Sequence, residues 1–188
     1  MPMTAEQSEK DADFQGFMAS RWPRLLRTAY LLTGEQHAAE DLAQTALERA
    51  YVAWRRVTQA ENPDAYVRRI LINAHSRRFR HGRRPELPDG HSGGTEGTQH
   101  TEDRDRIAQA DDRLALLPAL LALPPRQRQA VVLRYWEDLS VDEAAAAMGC
   151  STGTIKSQTA KALAKLRKSP ALKQPAVGAR ERAAGKER

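Results

Sequence analysis

Apolar residues return every three to four positions through most of the chain, and no stretch alternates for long enough to make a strand. Leu25, Leu26, Ala29, Tyr30 and Leu32 form the first such run, which Thr33-Gly34 stops. Pro23 suits the opening turn of a helix, where a missing N–H is no loss, so the spacing predicts a helix that begins there. A second helix is predicted from about Glu35 to Arg56, with Ala38, Ala39, Leu42, Ala46, Leu47, Ala50 and Tyr51 as its apolar stripe. Asn62 can cap, and Pro63 can open, a third helix over Asp64–Arg80. Its buried face is Tyr66, Val67, Ile70, Leu71 and Ala74.

The C-terminal half carries sharper signals. A helix is expected over Asp105–Ala122, and Pro124-Pro125 opens the next, which holds Val131, Val132, Leu133 and Trp136. Ser140-Val141-Asp142-Glu143 is a capping box, which fixes a helix start. The short run of small residues behind it ends at Gly149, a residue suited to the left-handed position after a helix. Cys150 fills the turn, and Ser151 can cap a last helix, Thr152–Lys168, that turns Ile155, Ala162, Leu163 and Leu166 inward. Helix, glycine turn, helix is the helix-turn-helix plan.

The outer side of that last helix points to a partner. Lys156, Lys161, Lys165, Arg167 and Lys168 carry five positive charges with no acid between them. Ser151, Thr152, Thr154, Ser157 and Gln158 put short hydrogen-bonding groups into its first turns. A recognition helix reads base edges with its first turns while cations hold phosphates. On this helix alone, a solvated basic face remains the alternative.

Composition narrows the class. The 188 residues include 30 basic and 24 acidic side chains, a net charge of +6 that favours a polyanionic partner. Aromatics are only 5%, and the dominant Ala, Leu, Arg and Glu make an all-α protein. The one cysteine, Cys150, excludes an internal disulfide and a thiolate metal site, and reads as a small packing residue. His37, His75, His81, His91 and His100 show no ligand or triad spacing and read as solvated. No catalytic residue, metal or cofactor is therefore expected. No run approaches 18 apolar residues, and the first thirteen lack the apolar centre of a signal peptide. A cytoplasmic protein without membrane insertion is expected.

Charge also divides the chain. Ala65 to Arg84 holds seven arginines and no acid, whereas Pro85 to Asp103 holds five acids and no lysine or arginine. The acidic stretch is rich in Gly, Pro, Ser and Thr and cannot offset its own ordering entropy. We expect two small helical domains, at 12–82 and 105–168, a flexible linker at 83–104 and a disordered basic tail at 169–188. Through its first four turns the second helix carries Glu35, Glu40, Asp41 and Glu48 against a single Arg49, so a basic protein surface is a second candidate partner. The polar loop Trp54–Asn62, with an arginine-lined helix behind it, could hold an unstacked base.

Three segments, in order, carry a family likeness. Ala39-Glu40-Asp41-Leu42-Ala43-Gln44-Thr45-Ala46-Leu47 is similar to the core-binding motif of region 2 in sigma-70 class RNA polymerase sigma factors. Asn62-Pro63-Asp64-Ala65-Tyr66-Val67-Arg68-Arg69-Ile70-Leu71-Ile72-Asn73 is similar to their −10 recognition and melting segment. Leu123 through Lys161-Ala162-Leu163 is similar to region 4, which reads the −35 element. With nothing matching regions 1.1 and 3, the chain resembles the small extracytoplasmic-function (ECF) group over residues 14–168. It departs from the pattern at Arg77, where an Asp is usual, and at Lys161, where an Arg is common and the bidentate fork is lost.

The resemblance implies promoter-specific initiation with core polymerase. Asp41, Leu42, Gln44, Thr45 and Glu48 would meet the β′ clamp helices, while region 4 would meet the β flap. Thr58, Asn62, Arg69, Asn73, Arg77 and Arg78 would serve the −10 element. Ser151, Thr152, Thr154, Lys156, Ser157 and Lys161 would read the −35 duplex. An anti-sigma protein is a further implied partner. Residues 81–104 would reach roughly 80 Å extended and average near 27 Å as a coil, so the two domains are expected to work apart on a tether. A stand-alone helix-turn-helix regulator is the alternative; it leaves Asp41, Gln44 and the arginine-rich helix without a task.

Overall fold

The computed structural model describes residues 5–81 and 111–173, and they fold entirely as helices and short turns. In the first half these are α1 (Ala5–Thr33), α2 (Gln36–Val52), α3 (Trp54–Thr58) and α4 (Pro63–His81). In the second they are α5 (Asp111–Leu121), α6 (Pro125–Val131), α7 (Val141–Met148), α8 (Thr152–Lys168) and α9 (Pro170–Lys173). Between α6 and α7 the helix widens into a π turn over Val132–Trp136. The linker at 83–104, the start of the expected 105–122 helix up to residue 110, and residues 174–188 lie outside the described residues.

Two boundaries differ from the sequence reading. Helix α1 does not start at Pro23 but runs through it. An interior proline costs roughly 3 kcal/mol, through a lost hydrogen bond and a clash with the carbonyl four residues back. Here that carbonyl belongs to Ala19, exposed like Pro23 and open to water. Upstream, Phe14 and Phe17 lie edge-on to Trp54 at 5.2 Å, and Phe14 lies 5.0 Å from Tyr51. That aromatic packing holds the first turns in place and offsets the proline. The second predicted helix breaks at Ala53 into α2 and α3. At 170–173 the expected disordered tail is instead helix α9, and Ala171 packs on the small cluster of Ala119, Leu120 and Leu123.

Local signals otherwise act as expected. The Asn62 side chain accepts the Ala65 N–H at 2.9 Å at the start of α4. Ser140 Oγ accepts the Glu143 N–H at 3.2 Å, and the Glu143 carboxylate accepts the Ser140 N–H at 2.7 Å. That second bond holds the Glu143 carboxyl below the usual carboxylate range. Gly149 is left-handed at φ 59°, as the turn requires.

The core does not respect the expected division. One cluster of buried residues runs from Leu32, Leu42 and Leu71 to Leu133, Ala144 and Ile155. The two halves, expected to be separate on a tether, pack against each other along α1 and α4.

Candidate functional site

Helix α8 presents its expected face to solvent. Ser151, Thr152, Lys156, Ser157, Lys161, Lys165, Arg167 and Lys168 are exposed, and Thr154 is half-buried. Ser151 also caps the helix, accepting the Thr154 N–H at 3.2 Å, so its hydroxyl is partly committed. Ile155, Ala162 and Leu166 are buried beneath and Leu163 is half-buried, which locks the helix on α6 and α7. A short-armed, hydrogen-bonding first turn followed by cations is thus held rigidly outward.

On α2, Asp41, Gln44 and Glu48 line one exposed face, with Gln44 donating to Glu48 at 3.1 Å. Thr45 is half-buried. Leu42 is different: at 1% exposure it lies in the core, because the apolar stripe that folds α2 onto its neighbours needs that position. It cannot touch a partner directly, so contrary to the expectation for this position its role is to support the face from within.

On and before α4, Thr58, Asn62, Arg69, Asn73, Arg77 and Arg78 are all exposed. Arg78 donates to the Ala38 carbonyl at 2.9 Å and to Asp41 at 3.3 Å, so a residue expected to meet DNA is paired with one expected to meet protein.

The other side of α4 holds residues that sequence reasoning missed. Glu137, at the end of the π turn, is buried and reaches across to the first half. It lies 2.8 Å from Arg24 and 3.2 Å from Arg68, and accepts the Thr28 hydroxyl. His75 is fully buried rather than solvated, because it sits on the face of α4 that meets α6. It donates from Nε2 to the Leu32 carbonyl (3.2 Å) and accepts at Nδ1 from Gln129 (2.8 Å), a pattern only the neutral ring satisfies. Burial pushes its pKa down to about 4, with the Arg128 and Arg78 charges acting the same way against the Leu32 hydrogen bond. Arg128 donates to the carbonyls of Leu32, Leu121 and Leu123, a cation set on the ends of α1 and α5. Burial lowers the pKa of that guanidinium too. No single sequence signal marks these residues, since every partner across the seam is remote in the chain.

Comparison with known proteins accounts for both halves. Residues 18–85 match the family model for sigma-70 region 2, and residues 113–166 match that for sigma-70 region 4. The chain is 39% identical over 155 residues to the RNA polymerase sigma-E factor of Streptomyces coelicolor, covering 82% of this chain and 84% of that one. The chain belongs to the sigma-70 family, in its ECF group. It is also 27% identical over 153 residues to the ECF RNA polymerase sigma factor SigW of Bacillus subtilis, covering 77% and 82%. Among solved structures, the sigma factor RpoE of Bartonella quintana, crystallised in complex with the anti-sigma factor NepR, matches with a TM-score of 0.60. The two are 25% identical over 83% of this chain and 95% of that one.

As a sigma factor, the protein binds core RNA polymerase and directs promoter-specific initiation; a stand-alone regulator would leave the region 2 match unexplained. Sigma factors of this family are DNA-binding initiation factors. Among the described residues no group of His, Cys, Asp and Glu is placed to hold a metal ion, and no helix is long and apolar enough to cross a membrane.

Proposed function

We propose that the three exposed faces divide the work of initiation. Asp41, Gln44, Thr45 and Glu48 dock on the β′ clamp helices, with Leu42 holding that face in shape from inside. Thr58, Asn62, Arg69, Asn73, Arg77 and Arg78 receive the −10 element, where a flipped non-template base is held and phosphates are neutralised. Helix α8 reads the −35 duplex through Ser151, Thr152, Thr154, Lys156, Ser157 and Lys161, and region 4 meets the β flap. The units lie at 12–82 and 105–168, joined by the linker. The protein acts in the cytoplasm, uses no cofactor and catalyses no reaction itself; melting by capture needs no nucleotide hydrolysis. The Bartonella relative's complex supports an anti-sigma protein as a further partner.

The observation that carries this reading is the exposed, acid-free cationic side of α8 set apart from the exposed acidic row of α2. In vitro transcription with purified core tests it. Asp41→Ala with Gln44→Ala is expected to weaken core binding tenfold or more, about 1.4 kcal/mol, while leaving −35 duplex binding intact. Lys161→Ala is expected to do the reverse, and to lower the salt slope of duplex binding by about one. A wild-type chain that neither binds core nor initiates transcripts overturns the proposal.

A further inference from the structure

We infer that Phe14 and Phe17 on α1 are positioning residues for the −10 element: through Trp54 they set the tilt of α3 and of the loop that follows it, where a flipped base is received. The inference rests on the base-capture role proposed above and adds to it the part of the chain that holds the loop. Phe14 and Phe17 stand ahead of residues 18–85, so the region 2 match gives them no task. Both are half-buried.

Helix α3 cannot hold itself. It has five residues, far fewer than the roughly 12–15 that an isolated helix needs in water. Nor does α2 carry it along, because the chain leaves helical geometry at Ala53 (φ −95°, ψ 17°). Its place is fixed by the two side chains it buries, Trp54 and Val57. The phenylalanines wall in the first of these. Both of their ring centroids lie 5.2 Å from that of Trp54, at interplanar angles of 87° for Phe14 and 68° for Phe17. Edge-on pairs are directional, so they fix how the indole is turned as well as keeping it dry. Phe14 is itself seated on Tyr51, whose ring carries Lys10 Nζ at 4.1 Å and whose hydroxyl donates to Asp11 at 2.5 Å.

From Trp54 the path to the capture loop is short. Thr58 Oγ1 donates to the Trp54 carbonyl at 3.2 Å, and the Ala60 N–H donates to the Val57 carbonyl at 3.2 Å. The far end of the loop is held separately, by the Asn62 cap on α4. Thr58 and Asn62 therefore belong to two different elements, and the distance between them follows the tilt of α3. A site that is already ordered binds without the ordering cost, and a site displaced by even a fraction of an ångström loses fit. The two rings thus act on the flipped base through Trp54 and the loop, without touching it.

Promoter opening by the full-length chain with core polymerase tests the assignment, read as permanganate reactivity of −10 thymines on a promoter that the wild type opens. Phe14→Leu with Phe17→Leu keeps apolar side chains and removes the rings. At equal core occupancy it is expected to lower opening at least fivefold, with helicity unchanged by circular dichroism. Core affinity and −35 duplex binding are expected to stay within twofold of wild type. Phe14→Tyr with Phe17→Tyr keeps both rings and is expected to open the promoter as the wild type does. Should the leucine pair fail to fold, Phe17→Leu alone replaces it, with a threefold loss expected. Full opening by the folded leucine variant, a tyrosine pair as impaired as the leucine pair, or equal losses in opening, core affinity and duplex binding overturns the assignment. Thr58→Ala with Asn73→Ala is read beside it, since it removes two groups of the capture site itself. If that variant opens the promoter normally, the base-capture reading falls and the assignment with it; if it is impaired while the leucine pair is not, only the role of the rings falls.

Discussion

Where α1, α2 and α4 meet one another the contacts are alanine and leucine; where the two halves meet, the apolar core runs on, but buried polar and charged groups are set into it. Ala29, Ala39, Ala43, Ala46 and Leu71 are buried in the first half, and small side chains of this kind let α1, α2 and α4 approach closely. At the seam Leu133, Ala144 and Ile155 continue that apolar cluster, and Thr28, His75, Arg128, Gln129 and Glu137 are buried with them. An apolar interior gains from every ångström of surface it removes from water and has nothing comparable to gain by parting. The buried polar groups of the seam could exchange their partners for water, but the apolar residues around them could not. The difference makes the seam the part of the interior that responds to protonation.

Removing side chains from the interior should hurt most. Leu71→Ala, at a fully buried position, is expected to cost about 2–5 kcal/mol in urea unfolding. A loss under about 1 kcal/mol would blur the contrast. The seam should respond next, and to acid. The pKa of His75 in the folded chain, about 4, lies below its ordinary value near 6.5, so the unfolded or opened chain binds the proton first. Stability from this group is complete above pH 6.5 and falls as pH drops toward 4, at up to about 1.36 kcal/mol per unit, near 3 kcal/mol in all. Urea unfolding at stepped pH measures it, and His75→Gln is expected to flatten the profile.

The smallest effect should come from a signal that belongs to neither side of the contrast. Ser140→Ala removes one half of the capping box and is expected to cost about 1 kcal/mol, read from the thermal midpoint, without altering the seam.

Reading these features in the sequence depended on how far away their partners lie. Asn62, Ser140, Gly149 and Ser151 act on groups within about a turn of themselves, and all four were legible. The fold class and the helix-turn-helix followed from them and from the 3.6-residue period. Pro23 misled, because the aromatic packing that keeps α1 continuous reaches Tyr51 and Trp54 on other helices. His75 misled for the same reason: its partners, Leu32 and Gln129, are 43 and 54 residues away. At the candidate site, the cations of α8 and the acids of α2 were legible from their places off the apolar stripe. Leu42 sat on that stripe, and there the stripe was the better guide than the motif.

The widened turn at Val132–Trp136 carries a consequence for how such a chain can change. Each residue of an α-helix rotates the next by about 100°. Deleting one residue there would swing the following carboxylate a quarter-turn or more off its target, while the downstream DNA-reading unit kept its own start signal at Ser140. One codon lost or gained at that spot would thus change how the two halves fit together, leaving the local start signals of both untouched.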